Sequence, residues 1–297
     1  YWLREKRAYP GGGGSVAGSG NGSTRTSTSF KTTDKPSSTG ELSKKTKSLI
    51  QWNVEALSKL LRQLIAHRGE SSQKNANYEW SVDLTKHGGT AIDEVQEIVP
   101  LPKFNRKGKR NSQHAVDANS IVLEPEVEDQ LKDYTTHLAH LYRDNPFHNF
   151  EHASHVTMSV MKLLARIVAP DDVDYDKIKT KKGLASKLHD HTYGITSDPL
   201  TQFACVLSAL IHDVDHTGVP NIQLVNEHAD VADKYKNVSV AEQNSVDVAW
   251  CLLMSDRFKD LRAAIAQTDA EVERFRQLVV NVVLATDIVD KDLKALR

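Results

Sequence analysis

The sequence predicts an all-α protein, a compact multi-helix bundle preceded by a disordered linker. Three observations point there. Apolar residues recur at alternating spacings of four and three in separate segments, the pattern of helices with one buried face. No strand-like alternation of useful length occurs. The stretch from Gly11 to Lys47 is rich in Ser and Thr, includes Gly11-Gly12-Gly13-Gly14, and holds too little apolar surface to offset the entropy of ordering.

On these grounds the chain divides into a tail at 1–7, a flexible linker at 8–47, a docking helix with a polar connection at 48–119, and a helical core at 120–297. Tyr1-Trp2-Leu3 resembles the terminal strand of class III nucleotide cyclase domains, which implies a covalently linked cyclase domain upstream. The chain opens on Tyr1 and stops at Arg297 in mid-pattern, so it reads as part of something longer. Ile50, Val54, Leu57, Leu61 and Leu64 give the docking helix one sticky face. Arg68 to Asn119 is polar, with one short helix expected near Ile92 to Ile98 and a solvated basic run at Lys103, Arg106, Lys107, Lys109 and Arg110. In the core, Val127, Leu131, Tyr134, Leu138 and Leu141 repeat the four-three spacing. Val156, Val160, Leu163, Leu164 and Ile167 give a second helical face, and Phe275, Leu278, Val279, Val282 and Val283 a third.

A hydrophobic fraction of 39% across 297 residues suffices for a core, and a formal net charge of −1 favours neither nucleic acid nor a membrane surface as partner. Cys205 and Cys251 lie in apolar segments and read as buried thiols of a reducing compartment, hence an intracellular, cytoplasmic protein. No run reaches the roughly 18 apolar residues that a membrane span needs. A membrane-tethered parent protein stays compatible with that.

Chemistry concentrates in Leu210 to Asn221, LIHDVDHTGVPN, directly after the uncharged run Phe203 to Ile211. That run reads as a buried helix, whose C-terminal end already carries partial negative charge. Carboxylates placed there are costly unless a cation offsets them. His212, Asp213, Asp215 and His216 are also the imidazole and carboxylate mixture that divalent first-row ions accept. A helix-stop Asp followed by a turn is the simpler alternative.

Two further groups weigh on that choice. In Asn145-Pro146-Phe147-His148-Asn149-Phe150-Glu151-His152, a helical path puts His148 and His152 on one face. Ten of the thirteen histidines fall between His137 and His228, more uneven than surface filling predicts, although His137, His140 and His228 singly read as surface residues. Asp287 ends the uncharged segment Gln277 to Thr286. Together His152, His212, Asp213 and Asp287 supply two imidazoles and two carboxylates near the ends of apolar helices, a metal-phosphohydrolase pattern. His189-Asp190-His191 lacks a preceding apolar run and reads as loop. Ser239-Val240-Ala241-Glu242 reads as a capping box, and Glu242 can also face a metal's waters.

With these pieces in place, about Val127 to Asp287 resembles the class I 3′,5′-cyclic nucleotide phosphodiesterases. His148-Asn149-Phe150-Glu151-His152-Ala153 matches that family's His-Asn-x-x-His-Ala, and His212-Asp213-Val214-Asp215-His216-Thr217-Gly218 its His-Asp-x-x-His-x-Gly; Ala285-Thr286-Asp287 follows in order. The resemblance implies a compact helical domain of the HD-like type. It implies a zinc ion held by His152, His212, Asp213 and Asp287, with Asp213 also touching a second ion, magnesium or manganese. His148 would be the general acid and touch substrate, His216 and Glu242 would surround the metals' waters, and Asn221 would lie near substrate. The implied reaction converts cAMP or cGMP to the 5′-monophosphate, in a protein that can dimerise.

Departures from the family pattern are Phe147 for a frequent Tyr, His155 for a frequent Asp, and Gln243-Asn244-Ser245 for a frequent Asn-His-His. The family's purine clamp lies downstream of Arg297, so the choice between cAMP and cGMP is not legible. The alternatives are an HD-type phosphohydrolase acting on another nucleotide and a non-catalytic regulatory or scaffold domain. His148-x-x-x-His152-Ala153 weighs against the first, and the intact ligand set against the second.

Overall fold

A computed structural model describes residues 42–69, 80, 89–96, 99, 118–167, 183, 191–192, 195 and 197–289. The tail at 1–7, the linker up to residue 41, the basic run and the pair His189 and Asp190 lie outside them. Among the described residues there are nine α-helices and no strand. They are α1 (Lys44–Gly69), α2 (Pro125–Leu141), α3 (Phe150–Leu164), α4 (Pro199–Ile211), α5 (Asn221–Asn226), α6 (Asp230–Lys234), α7 (Val240–Met254), α8 (Lys259–Ile265) and α9 (Asp269–Leu284).

The centre of the bundle is α4. Asp198 caps it by accepting from the Thr201 amide at 3.0 Å, and Pro199 at the first helical position needs no amide partner. Beyond the cap every side is apolar, so the helix buries all round and touches α1, α3, α7 and α9. Phe203, Val206, Leu207 and Leu210 are all at most 2% exposed. The helix therefore ends inside the core at Ile211, and the next residues are His212 and Asp213.

The helix α1 belongs to this same core. Ile50, Leu57, Leu61 and Leu64 are buried on it as their spacing requires, with Val54 half-buried at the edge. It starts at Lys44, inside the stretch 8–47 assigned to the linker, because Ser43 offers its hydroxyl to the Thr46 amide at 3.0 Å. Asn53 lies in the buried stripe and reaches Ser154 of α3 at 2.9 Å. At the far end the Arg68 guanidinium donates to the carbonyls of Ala264 and Ile265, groups orphaned at the end of α8. Burial lowers the Arg68 pKa, against the opposing pull of Glu271.

The polar connection contributes two anchors. Trp80 donates its indole N–H to Ala266 O at 3.0 Å and packs between Trp250 and Phe275. The short helix expected near Ile92 to Ile98 is a single 3-10 turn, Ala91–Glu94, ended by extended backbone at Val95. Its Glu94 takes both arms of Arg276 at 2.7 and 2.8 Å, and that guanidinium also covers the Trp250 ring.

One expectation about burial is corrected. Cys251 is exposed, because α7 turns Val246, Ala249 and Leu253 into the core and the cysteine falls on the opposite side of the helix, whereas Cys205 is partly buried. Both thiols are free, and burial pushes Cys205 up to about 11. The α3 face of Val156, Val160 and Leu164 is only half-buried and Leu163 is 65% exposed, so it walls an open cavity rather than closing a core. No helix among the described residues is long and apolar enough to cross a membrane.

Since α1 is core rather than tether, Leu57→Ala should destabilise the protein by about 2–5 kcal/mol in denaturant melts. Leu163→Ser should change stability by no more than about 0.5 kcal/mol. A Leu57→Ala variant as stable as the parent would show that α1 docks without supporting the fold.

Candidate functional site

The site forms where α4 ends. His212 is the C-cap residue, and its Nδ1 lies 3.0 Å from Ala209 O. That contact calls for a proton on Nδ1 and aims Nε2 outward, the usual arrangement of a ligating imidazole. Nε2 lies 3.2 Å from Oδ2 of Asp213. Tyr142, itself buried, donates its hydroxyl to Leu210 O at 2.7 Å and so ties the end of α2 to the same turn.

Two more imidazoles reach the same carboxylate oxygen from the α2–α3 connection. His148 Nδ1 is 2.9 Å and His152 Nε2 is 3.6 Å from Asp213 Oδ2. His152 sits in the first turn of α3, whose N-cap is Asn149, accepting from the His152 amide at 3.0 Å. His148 is not on that helix. The extended conformation of Asn149 ends the preceding loop, so the shared helical face expected for the pair is replaced by a loop residue and a first-turn residue 6.0 Å apart between ring centroids. His216 comes from the other side and stacks on His148 at 3.9 Å.

Asp213 is only 7% exposed. Burial pushes its carboxyl up, but the hydrogen bonds and charges of His212 and then His148 outweigh that and hold it well below the usual carboxylate range. Burial lowers His152 and His216, with neighbouring imidazoles adding to the effect. For His212 burial acts downward too, yet Asp213 raises it overall.

The opposite wall carries two acids. Asn221 donates from one amide to Glu242 Oε2 at 2.8 Å and Asp287 Oδ2 at 3.2 Å, while its Oδ1 accepts from the Ala241 amide at 2.9 Å. Asn221 thereby caps α7. The capping box expected from Ser239 and Glu242 is absent, because Ser239 adopts a left-handed conformation, φ 40°, that turns its hydroxyl from the helix end. Glu242 is released to face the site. Burial raises its pKa, and the charges of Asp287 and Asp213 add to that against the Asn221 hydrogen bond. Asp287 is 6% exposed and also accepts from the Val289 amide at 3.0 Å.

A cavity of about 430 Å³ opens between α3, α4 and α9, lined by His148, His152, His212, Asp213 and Glu242 at one end and by apolar side chains at the other. A second, of about 300 Å³, lies beside His148, His216, Asn221, Glu242 and Asp287. Among the described residues lining either there is no Lys or Arg, although three carboxylates face them. A surplus of buried negative charge with imidazoles beside it fits a divalent cation. Two groups have their ligand atoms within 4.8 Å of one another, His152 with His212 and Asp213, and His148 with Asp213 and His216. Asp213 is common to both. Asp287 belongs to neither group and stands across the cavity on Asn221.

Of the departures from the phosphodiesterase pattern at 243–245, two bind the loop after α4 and the third binds the 3-10 turn at Ala91–Glu94. Ser245 donates to Val214 O at 2.8 Å, Asn244 to Asp215 Oδ2 at 3.0 Å, and the buried Gln243 accepts from the Ile92 amide at 3.0 Å. Phe147 packs on the His152 ring at 4.4 Å, and His155 is exposed. His137 is held by Asp133 and Arg257 on the surface; His140 and His228 are exposed. Arg143 and Asn145 support the site although no role for them follows from the sequence, where only an Asn-Pro turn marks Asn145.

Residues 147–292 match the family described as 3'5'-cyclic nucleotide phosphodiesterase. The probable 3',5'-cyclic-AMP phosphodiesterase pde-4 of Caenorhabditis elegans is 32% identical over 158 residues, 53% of this chain and 19% of that protein. The dual specificity calcium/calmodulin-dependent 3',5'-cyclic nucleotide phosphodiesterase 1C of Mus musculus is 32% identical over 144 residues, 48% of this chain and 17% of that one. This chain thus spans no more than 19% of the length of these two relatives. The phosphodiesterase domain of the RhoPDE fusion protein from the choanoflagellate Salpingoeca rosetta is a similar solved structure, at 23% identity, with 56% of this chain and 43% of that chain covered and a TM-score of 0.42.

If the carboxylate of Asp213 anchors a cation, zinc at about a hundredfold over its dissociation constant should stabilise the protein by about 2.7 kcal/mol, read as a rise in melting temperature. Asp213→Asn should remove most of that rise, and Asp93→Asn, on the surface 3-10 turn, should leave it intact. An equal rise in the Asp213→Asn variant would place the ion elsewhere.

Proposed function

We propose that this chain carries the metal-dependent centre of an enzyme that hydrolyses the 3′ phosphoester bond of a cyclic nucleotide, cAMP or cGMP, to the 5′-monophosphate. The observation that carries the reading is the convergence of three imidazoles on Oδ2 of Asp213, from the two segments that match the phosphodiesterase motifs. In this reading His152, His212, Asp213 and Asp287 hold one ion, zinc, and Asp213 also touches a second, magnesium or manganese. The first three offer converging ligand atoms, and Asp287, across the cavity on Asn221, would be drawn in as the fourth. What such ions supply when bound is water activated at neutral pH and charge neutralised at phosphorus.

The chain's own residues do the rest. His148 has Nδ1 against Asp213, so Nε2 is the nitrogen free to give a proton. As water oxygen bonds to phosphorus and the bond from phosphorus to the ribose 3′ oxygen breaks, the electron pair goes to that oxygen and His148 protonates it. His216, stacked on His148, and Glu242, held by Asn221, flank the space in which water and the phosphate meet. Asn221 reaches the same cavity and is positioned to touch substrate as well. A cytoplasmic setting, a cyclase domain linked upstream and a dimer belong to the same proposal.

In the whole protein, release of 5′-AMP and 5′-GMP should stop on chelation and return with added metal. His148→Ala should lose roughly 10²–10⁴ in turnover and keep its metal. Asp213→Ala should lose both. Full turnover in either variant rejects the assignment, and a metal-loaded whole protein that turns over neither nucleotide points to the scaffold alternative.

A further inference from the structure

His148 and His216 face the same space but belong to different segments, and neither lies in a helix. Their rings stack at 3.9 Å with an interplanar angle of 22°. Ring stacking alone is a weak, sliding contact, so their spacing has to be imposed by the backbone.

One side chain spans both segments. Asn145 Nδ2 donates to His148 O at 2.9 Å and to His216 O at 3.2 Å. Both amide protons are thereby used. Its Oδ1 accepts from the Phe147 amide at 3.3 Å, which fixes the amide's orientation, since the reverse would set Oδ1 against two carbonyl oxygens. The Asn145 carbonyl accepts from Asn149 Nδ2 at 3.0 Å, and Asn149 caps the helix that carries His152. Gly218, at φ 87°, lies close by: a Cβ there would sit 3.6 Å from that of Asn145. Two residues before Asn145, Arg143 donates to Oδ1 of Asp215 at 2.7 Å, closing the same pair of loops a second time.

We propose that Asn145 is a positioning residue that sets His148 against His216 by tying their two carbonyls to one amide. It takes no part in the bond changes. The proposal rests on the phosphodiesterase reading for its consequence in turnover, and on geometry alone for the juxtaposition.

The test is a double-mutant cycle in the metal-loaded whole protein, joined to spectra of the metal-free protein. Asn145→Asp keeps the shape and an acceptor but cannot donate to two carbonyls. It should lower kcat roughly ten- to hundredfold, leaving KM within about twofold and metal content unchanged. In the His148→Ala background the same change should cost the residual rate less than about twofold, because its effect passes through His148. In long-range ¹H–¹⁵N spectra, the ring signals of His148 and His216 should move together in Asn145→Asp while those of His212 stay. Should Asn145→Asp not fold, Asn145→Ser, which can serve only one carbonyl, answers the same question. An unchanged kcat, a loss that adds in full to that of His148→Ala, or unmoved ring signals would overturn the proposal. If His148→Ala itself keeps full turnover, the phosphodiesterase reading fails instead, and the ring signals still decide the role of Asn145.

Discussion

A carboxylate pressed against the C-terminal end of a buried apolar helix is the constraint from which the site follows. Asp213 adds a full negative charge where the α4 dipole already contributes one of the same sign. Left unpaired there, such a group would cost several kcal/mol or take up a proton. Three imidazoles converge on its Oδ2, and two more acids, Glu242 and Asp287, stand across the cavity. Among the described residues lining the two cavities no Lys or Arg faces these acids, a setting that fits a divalent cation.

The rest of the bundle holds that strain in place. The uncharged surface of α4 leaves it nowhere to go but the centre, and α1, α3, α7 and α9 enclose it. Tyr142 fastens the last turn of α4, and Ser245 of α7 fastens the residue after Asp213. Two loops, 142–149 and 212–218, then carry His148, His212, Asp213 and His216, and are joined by Asn145 and by Arg143 with Asp215. Asp215 adopts φ 61°, a conformation costly for a residue with a Cβ, and its two carboxylate oxygens are held by Arg143 and Asn244. Backbone strain beside a reactive site is tolerated where side chains over-determine it in this way.

Much of this is legible from residue order because burial writes itself as periodicity. The stripes of α1, α2 and α9 and the uncharged run of α4 specify those helices, and the histidine clusters mark the chemistry. What is not legible turns on single dihedrals and on open space. An extended Asn149 takes His148 off the helix, and a left-handed Ser239 undoes a capping box whose letters are all present. The half-open face of α3 has the same apolar spacing as a buried one, since periodicity reports which residues share a face and not what covers it. Asn145 does not announce itself at all: an amide before Pro146 is an ordinary turn residue until His216, distant in sequence, arrives at its other proton.

The most direct measurement is anomalous scattering at the zinc edge from crystals of the metal-loaded protein. A peak within bonding distance of His152 Nε2, His212 Nε2 and an Asp213 oxygen, with Asp287 drawn in as fourth ligand, is the expected result. A peak bound by other residues, or none near Asp213 at full zinc occupancy in solution, would contradict the view that this carboxylate organises the site around a cation.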